Sequence, residues 1–431
     1  MTIMEELTAP KHLESFSDWR NEAYLYLGVL VWPFGVMMAA LRFFRKPWAK
    51  NMFWIFCIFF GYTFIIAQGN VGSADSARYS QMLVEYSIGD MGFAQLWDSF
   101  YSESSSYVDI AQPIITYMVS RFTENPRILF AVFGLVFGFF YSRNIWYVLD
   151  RIKGRMSLVL VLYVLTFALF NPIWNINGVR MWTAAQIFLF GALPYLLEGK
   201  IKNLLWSGIA IFFHFSFMLP FAVLLLFAFV RNRIGIFMIL FILTSFIKEI
   251  NLESVQSALS FLPAIFQLRV SGYTNLEYAS ALTSEMESVN WYIAYSAIFV
   301  KWAIYIISLF IYLAGRSYLE KRKDLKTLFC FSLLFYSFAN IFSLVPSGSR
   351  FLIIASALMF AFYILYFDAF PAITGYMLVQ TLTLPLIALF CVVAIRMGMD
   401  YFGLTTVLGN PLFAIFDNDP VPLITGIKNL F

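Results

Sequence analysis

Charge is scarce in this chain. Only 13% of its 431 residues are Asp, Glu, Lys or Arg, against 61% hydrophobic, which leaves too little polar surface to coat a soluble globule of this length. Cysteine is nearly missing as well: Cys57, Cys330 and Cys391 each lie inside an apolar run. That excludes a disulfide framework and supplies no metal-ligand spacing, so no metal and no cofactor is expected. The net charge of +4 is spread over short loops, without the concentrated basic surface that a nucleic-acid partner requires. The alternating segments of about 10 residues that mark a membrane β-barrel are lacking. There is no repeat of fixed period and no separate soluble domain, so residues 1–431 read as one membrane domain.

What the chain has in abundance is long apolar runs. A hydrocarbon core about 30 Å thick is crossed by roughly 20 helical residues, and many runs meet or approach that length. The expected fold is an all-α polytopic integral membrane protein with about twelve transmembrane helical segments, ten to fourteen at the limits. Residues 1–22 lack the pattern of a cleaved signal peptide, so the amino end is expected to be retained. Basic residues fix the orientation. Arg42, Arg45, Lys46 and Lys50 crowd one short loop, and RSYLEKRKDLK (316–326) forms the most basic one; both are expected to face the cytoplasm. This places two long acidic segments, 69–127 and 248–290, outside, where they carry amphipathic surface helices and roof a cavity. The C-terminal tail, 396–431, is also external. Leu204 to Val230 is too long for one perpendicular span, and its His214, Ser216 and Pro220 mark a hairpin or a broken helix.

The most informative stretch is Asn171 to Arg180, NPIWNINGVR, a polar interruption between two apolar runs. Its Pro and Gly break the helical pattern, and its three Asn side chains can satisfy backbone groups at the broken ends. Arg180 opens the second run, where a guanidinium and a helix N-terminus together suit an anion such as phosphate. The same topology brings Asp75, Arg78, Tyr79, His214 and Arg350 to the external leaflet. Each has a plainer reading. An arginine at a helix end snorkels to headgroups, a lone His packs in a core, and Asp75 and Arg78, three apart, pair on one helix face. Ionisable groups at membrane depth are nevertheless costly and mark function.

The stretches ADSARY (74–79), NGVRMWTAAQIFLFGA (177–192), FFHFSFMLPF (212–221) and SGSRF near the end resemble the EpsG or Wzy-like family of polysaccharide polymerases, which make O-antigen, capsule or exopolysaccharide. The resemblance implies a membrane glycosyltransferase that joins oligosaccharide repeat units carried on a polyprenyl (undecaprenyl) pyrophosphate. The expected place is the periplasmic or outer face of a bacterial inner, cytoplasmic membrane. A flippase and a chain-length regulator are partners implied by the resemblance alone.

The residues fit that chemistry. Cleaving the bond from the anomeric carbon to phosphate develops charge on the leaving pyrophosphate, so fixed cations stabilise the transition state. Arg180 is the first catalytic candidate, with Arg350 and Arg78 binding substrate. His214 is the expected base, because its ordinary pKa lies nearest neutrality, and Asp75 is the second catalytic candidate for that role. Tyr79, Asn177 and Ser216 complete the substrate-binding set. Direct attack, without a metal, inverts the anomeric centre. Two alternatives use the same site: a flippase or transporter of the lipid-linked oligosaccharide, and a glycosyltransferase taking single sugars from a polyprenyl phosphate.

Overall fold

The structure is a computed structural model and describes residues 23–66, 75–89, 92–101, 109–249, 256–257, 260, 267, 290–371, 375–417 and 420–429. Parts of the expected external segment 69–127 and nearly all of 248–290 lie outside these residues, as does Ala74 of the ADSARY stretch. Among the described residues the chain is helical throughout, with a single isolated β-bridge between Gly403 and Pro422.

The helices follow the apolar runs. In chain order they are α1 (Pro33–Arg42), α2 (Ala49–Tyr62), α3 (Asp75–Ile88), α4 (Phe93–Tyr101), α5 (Ala111–Ser120), α6 (Pro126–Leu149), α7 (Leu158–Phe170) and α8 (Val179–Glu198). After these come α9 (Leu204–Phe213), α10 (Met218–Val230), α11 (Ile234–Thr244), α12 (Trp291–Ala314), α13 (Lys323–Phe342), α14 (Arg350–Ala369) and α15 (Tyr376–Gly398). The first apolar run, Tyr24 to Leu41, is broken: residues 23–31 and α1 are separate helical stretches that meet at Trp32. Pro33 cannot donate a backbone hydrogen bond, and it is tolerated there at the first position of a new helix.

Among the described residues, 6 helical stretches are long and apolar enough to cross a membrane. One of them, Leu158–Glu198, is 41 residues long and holds both α7 and α8. The remaining apolar helices, α9, α10 and α11, have 10, 13 and 11 residues, short of the roughly 20 that a full crossing needs. The run from Leu204 to Val230 is indeed two helices, α9 and α10, hinged at His214.

Close approach of backbones organises one side of the bundle. α6 carries Gly134 and Gly138 four residues apart, the small-xxx-small spacing of tightly crossing membrane helices, and it lies directly on α2. A Cβ at Gly134 would stand 2.4 Å from the Cys57 carbonyl oxygen, and one at Gly61 would stand 2.2 Å from that of Phe130. Neither carbonyl can move without opening the helix that owns it. Gly134→Val is therefore expected to lower stability by about 2–3 kcal/mol. Thermal unfolding in detergent micelles reads this out, and a midpoint equal to that of Gly426→Ala, a site with open space around it, would refute the crossing.

On the other side α14 is the most enclosed span, packed between α7 and α13, while α12 and α15 lie at the periphery. Beyond α15 the chain turns back onto the earlier helices. Ile65 N–H donates to the Tyr401 carbonyl at 3.4 Å, Thr406 Oγ1 donates to Thr63 Oγ1 at 2.9 Å, and Trp32 Nε1 donates to the Val407 carbonyl at 2.7 Å. Arg127 holds the Ala414 carbonyl at 3.0 Å. The described part of the tail 396–431 is thus tied to the earlier helices, and Tyr401 is fixed by stacking on Phe64, with ring centroids 5.3 Å apart.

Candidate functional site

The break between α7 and α8 is one six-residue 3-10 turn, Ile173–Gly178. A helix end inside a membrane protein must find partners for its orphan carbonyls. Here a ladder of buried amides does so. Gln186 Nε2 donates to the Asn171 carbonyl at 3.0 Å, and Asn144 Nδ2 donates to Gln186 Oε1 at 2.7 Å. Asn171 Nδ2 reaches the Trp182 carbonyl at 2.9 Å, while its own Oδ1 accepts from Asn175 at 3.0 Å. The turn is thereby held rigid, and it delivers Arg180 to the N-terminal turn of α8.

Arg180 is the meeting point of three segments. Its Nε donates to Tyr79 Oη at 3.3 Å, its Nη1 to Asp109 Oδ2 at 3.2 Å, and its Nη2 lies 3.8 Å from Asp75 Oδ1. Asp75 also pairs with Arg78, one turn further along α3. Both carboxylates stand at the start of α8, where the helix dipole favours negative charge. Tyr79 is buried against Phe133. Burial pushes its phenol up from the ordinary value, against the opposing pull of Arg180, so the hydroxyl remains a neutral group at physiological pH.

Asp109, absent from the sequence-derived candidates, joins this cluster to the second break. It is 6% exposed, and its Oδ1 accepts from the Phe215 N–H at 2.8 Å. Beside it, Ile110 N–H donates to the Phe212 carbonyl at 3.0 Å. His214 stands in extended backbone between α9 and the 3-10 turn Phe215–Phe217 and caps that turn, its ring accepting from the Ser216 N–H at 3.3 Å. The same Nδ1 lies 2.7 Å from Ser216 Oγ. Because Nδ1 accepts from a backbone N–H, the proton of the neutral ring sits on Nε2.

Arg350 comes from elsewhere in the chain. The PSGSR turn places it at the first position of α14. Gly348 in that turn has no room for a side chain, since a Cβ would fall 1.8 Å from the Phe342 carbonyl oxygen. The Arg350 guanidinium makes no ion pair or hydrogen bond among the described residues. It lines a cleft of about 140 Å³ together with Asp75, Asn177, Trp174, Trp182 and Tyr401. Asn177 Nδ2 donates to Tyr401 Oη at 3.4 Å, while its Oδ1 is shielded from solvent and unbonded.

The residues singled out in the sequence are therefore brought together in two linked groups. Asp75, Arg78, Tyr79 and Arg180 form the charge cluster, extended through Asp109 to the turn carrying His214 and Ser216. Asn177 and Arg350 line the cleft next to it, with Asp75 common to both. Three arginines against two carboxylates leave one positive charge, and the cation unpaired among the described residues is the one lining the cleft. Such an arrangement can bind an anion beside a carboxylate acceptor. Among the described residues no group of three His, Cys, Asp or Glu side chains is placed to hold a metal ion.

Searches of curated proteins and of solved structures find no match to the chain. The sequence model of the EpsG family matches residues 52–405, a stretch that runs from within α2 to beyond the end of α15 and holds every residue of the cluster and the cleft. The chain belongs to the EpsG family.

Proposed function

We propose that this protein is a membrane polysaccharide polymerase, a glycosyltransferase that joins oligosaccharide repeat units carried on polyprenyl pyrophosphate at the outer face of a bacterial cytoplasmic membrane. Family membership supports the polysaccharide chemistry. The observation that carries the site is Arg350, unpaired among the described residues, lining one cleft with Asp75. The donor is the growing glycan on its lipid pyrophosphate, and the acceptor is a hydroxyl of a second lipid-linked unit. The acceptor oxygen attacks the anomeric carbon as the bond from that carbon to the pyrophosphate oxygen breaks. The leaving polyprenyl pyrophosphate takes the electron pair, the anomeric centre inverts, and the hydroxyl proton passes to a protein acceptor.

The geometry supports the following roles. Arg350 meets the charge developing on the leaving group, where a fixed cation stabilises it. Asp75 accepts the proton late, as the anomeric bond lengthens and the attacking hydroxyl becomes acidic. Arg180 holds Asp75 and Asp109 in register and adds its own charge beside the pyrophosphate, with Arg78 behind it. His214 serves better as a donor than as the base, because its Nδ1 is engaged by Ser216 and its Nε2 carries the proton. Asn177 and Tyr79 orient polar groups of the substrate. No step in this scheme calls for a divalent ion.

The test is purified protein in proteoliposomes supplied with the lipid-linked repeat unit and no other enzyme. Products with two or more joined repeats are expected. Movement of the unit across the bilayer without chain growth would support a flippase instead, and growth by single sugars from a polyprenyl monophosphate would reassign the donor class.

A further inference from the structure

We infer that the segment 401–416, which follows α15, does not stand in water beyond the membrane but lies in the lipid interface, its apolar face against the acyl chains of the adjoining leaflet. The segment holds two short helices, α16 (Leu404–Leu408) and α17 (Pro411–Phe416). The partner of this surface is the bilayer itself, whatever the reaction at the cleft.

Its depth is set by the helices it touches. Arg42, Arg45, Lys46 and Lys50 hold the loop between α1 and α2 at one face of the membrane. From there α2, with 14 residues, rises at most about 21 Å, about 9 Å short of crossing a hydrocarbon core about 30 Å thick. The 10 residues of α1 rise only about 15 Å to Trp32. The segment bonds to both of these ends. Its Tyr401 carbonyl accepts from the Ile65 N–H, its Thr406 hydroxyl donates to Thr63, and its Val407 carbonyl accepts from Trp32 Nε1. It is thereby drawn inside the far boundary of the core, to about the 5–10 Å at which interfacial helices lie.

The polarity of the segment suits that place. Residues 401–416 include no charged side chain. Leu404, Leu408, Leu412, Phe413, Ile415 and Phe416 are each more than half exposed, which is more apolar surface than so short a stretch would turn to water. The polar side chains turn inward instead. Thr405 bonds to Asp417, and Asn410 Oδ1 accepts from the Phe413 N–H at 3.0 Å. Carbonyls along the segment are met by protein donors as well: Arg127 takes those of Ala414 and Asp417, and the Leu423 N–H donates to that of Phe402 at 2.8 Å. Water would satisfy such carbonyls unaided, whereas in lipid the protein must supply the donors. Exposed apolar side chains flank the segment, Val392 and Ile395 on α15 and Val31 beside Trp32, so it continues the lipid-facing surface of the spans. A second copy of the chain would cover the apolar face but would not require it to lie at this depth. Tyr401 opens the segment and lines the cleft, so the cleft borders the lipid interface, and a ligand carried on a lipid reaches it without leaving the bilayer.

The test is spin-label accessibility in the full-length protein in nanodiscs. Cys57, Cys330 and Cys391 are buried, so a nitroxide reacts selectively with a surface cysteine added as Leu408→Cys, Leu412→Cys or Phe416→Cys. Val392→Cys on α15 is the lipid-facing reference, and Lys321→Cys in the basic loop is the water-facing one. Oxygen concentrates in hydrocarbon, and a polar nickel chelate stays in water. The three labels are expected to give an oxygen-to-chelate collision ratio within about twofold of that at Val392 and at least about fivefold above that at Lys321. Ratios like that at Lys321 would overturn the inference. Labels that neither reagent reaches would overturn it too, since a protein partner would then cover the face. If a labelled variant does not fold, Leu404→Cys or Phe413→Cys, exposed on the same two helices, takes its place.

Discussion

Replacing Arg350 with Gln is expected to abolish most chain growth while leaving the fold intact. The guanidinium has no partner among the described residues, so the substitution breaks no internal ion pair and strands no buried carboxylate. What it removes is the cation facing the cleft. Losing one such contact in a preorganised site costs about 3–4 kcal/mol in the transition state, which slows turnover by roughly two to three powers of ten. Arg350→Lys is expected to recover little of this, because the planar two-pronged contact with phosphate is lost. The measurement is glycan length in cells with matched membrane levels of each variant, together with the thermal midpoint of the purified proteins. Single repeats on the lipid with an unchanged midpoint support the assignment. Long chains from Arg350→Gln would remove Arg350 from the chemistry. The contrast with Arg180 is informative, since that side chain ties three segments together: Arg180→Ala should lose comparable activity and also destabilise the protein, because Asp109 is left buried without its cation.

The two breaks were legible in the sequence because their signals are local. Pro172 and Gly178 interrupt an apolar run, with Asn171, Asn175 and Asn177 between them to supply backbone partners. His214 and Ser216 interrupt another. The clustering of Asp75, Tyr79 and Arg180 was reachable from topology, since loops on one side of a membrane meet. Asp109 was not, because it is one of seven acidic residues in 69–127 and its importance comes from meeting the start of α8 and the α9–α10 hinge, both far along the chain. Its one sequence signal is an acidic residue set directly between Val108 and Ile110. Trp174, Trp182 and Tyr401 border the cleft, and a sequence this rich in aromatics does not single them out. The span count was uncertain for a physical reason too: α9, α10 and α11 are apolar enough for membrane depth and too short to cross it unaided.

Asp109→Ala is expected to have the opposite signature to Arg350→Gln, with stability lost together with activity. The carboxylate is buried and accepts from two donors on different segments, Arg180 Nη1 at 3.2 Å and the Phe215 N–H at 2.8 Å. Truncation leaves the arginine with one fewer counter-charge and the backbone N–H with none from this side chain. Because Arg180 keeps about a quarter of its side chain exposed, solvent offsets part of the penalty, and the loss is about 2–4 kcal/mol. Arg180 then loses one of its anchors and shifts its charge toward Asp75, which draws that carboxylate away from the cleft, and chain growth falls by roughly two powers of ten. Asp109→Asn separates the two functions of the carboxylate. The amide oxygen can still accept from the Phe215 N–H, so the hinge between α9 and α10 holds, but the charge that fixes Arg180 is gone. Asn should therefore restore most of the thermal midpoint and little of the activity. If Asp109→Asn instead polymerises like the parent, Arg180 needs no fixed counter-charge, and Asp109 serves only to dock its segment onto the helix break.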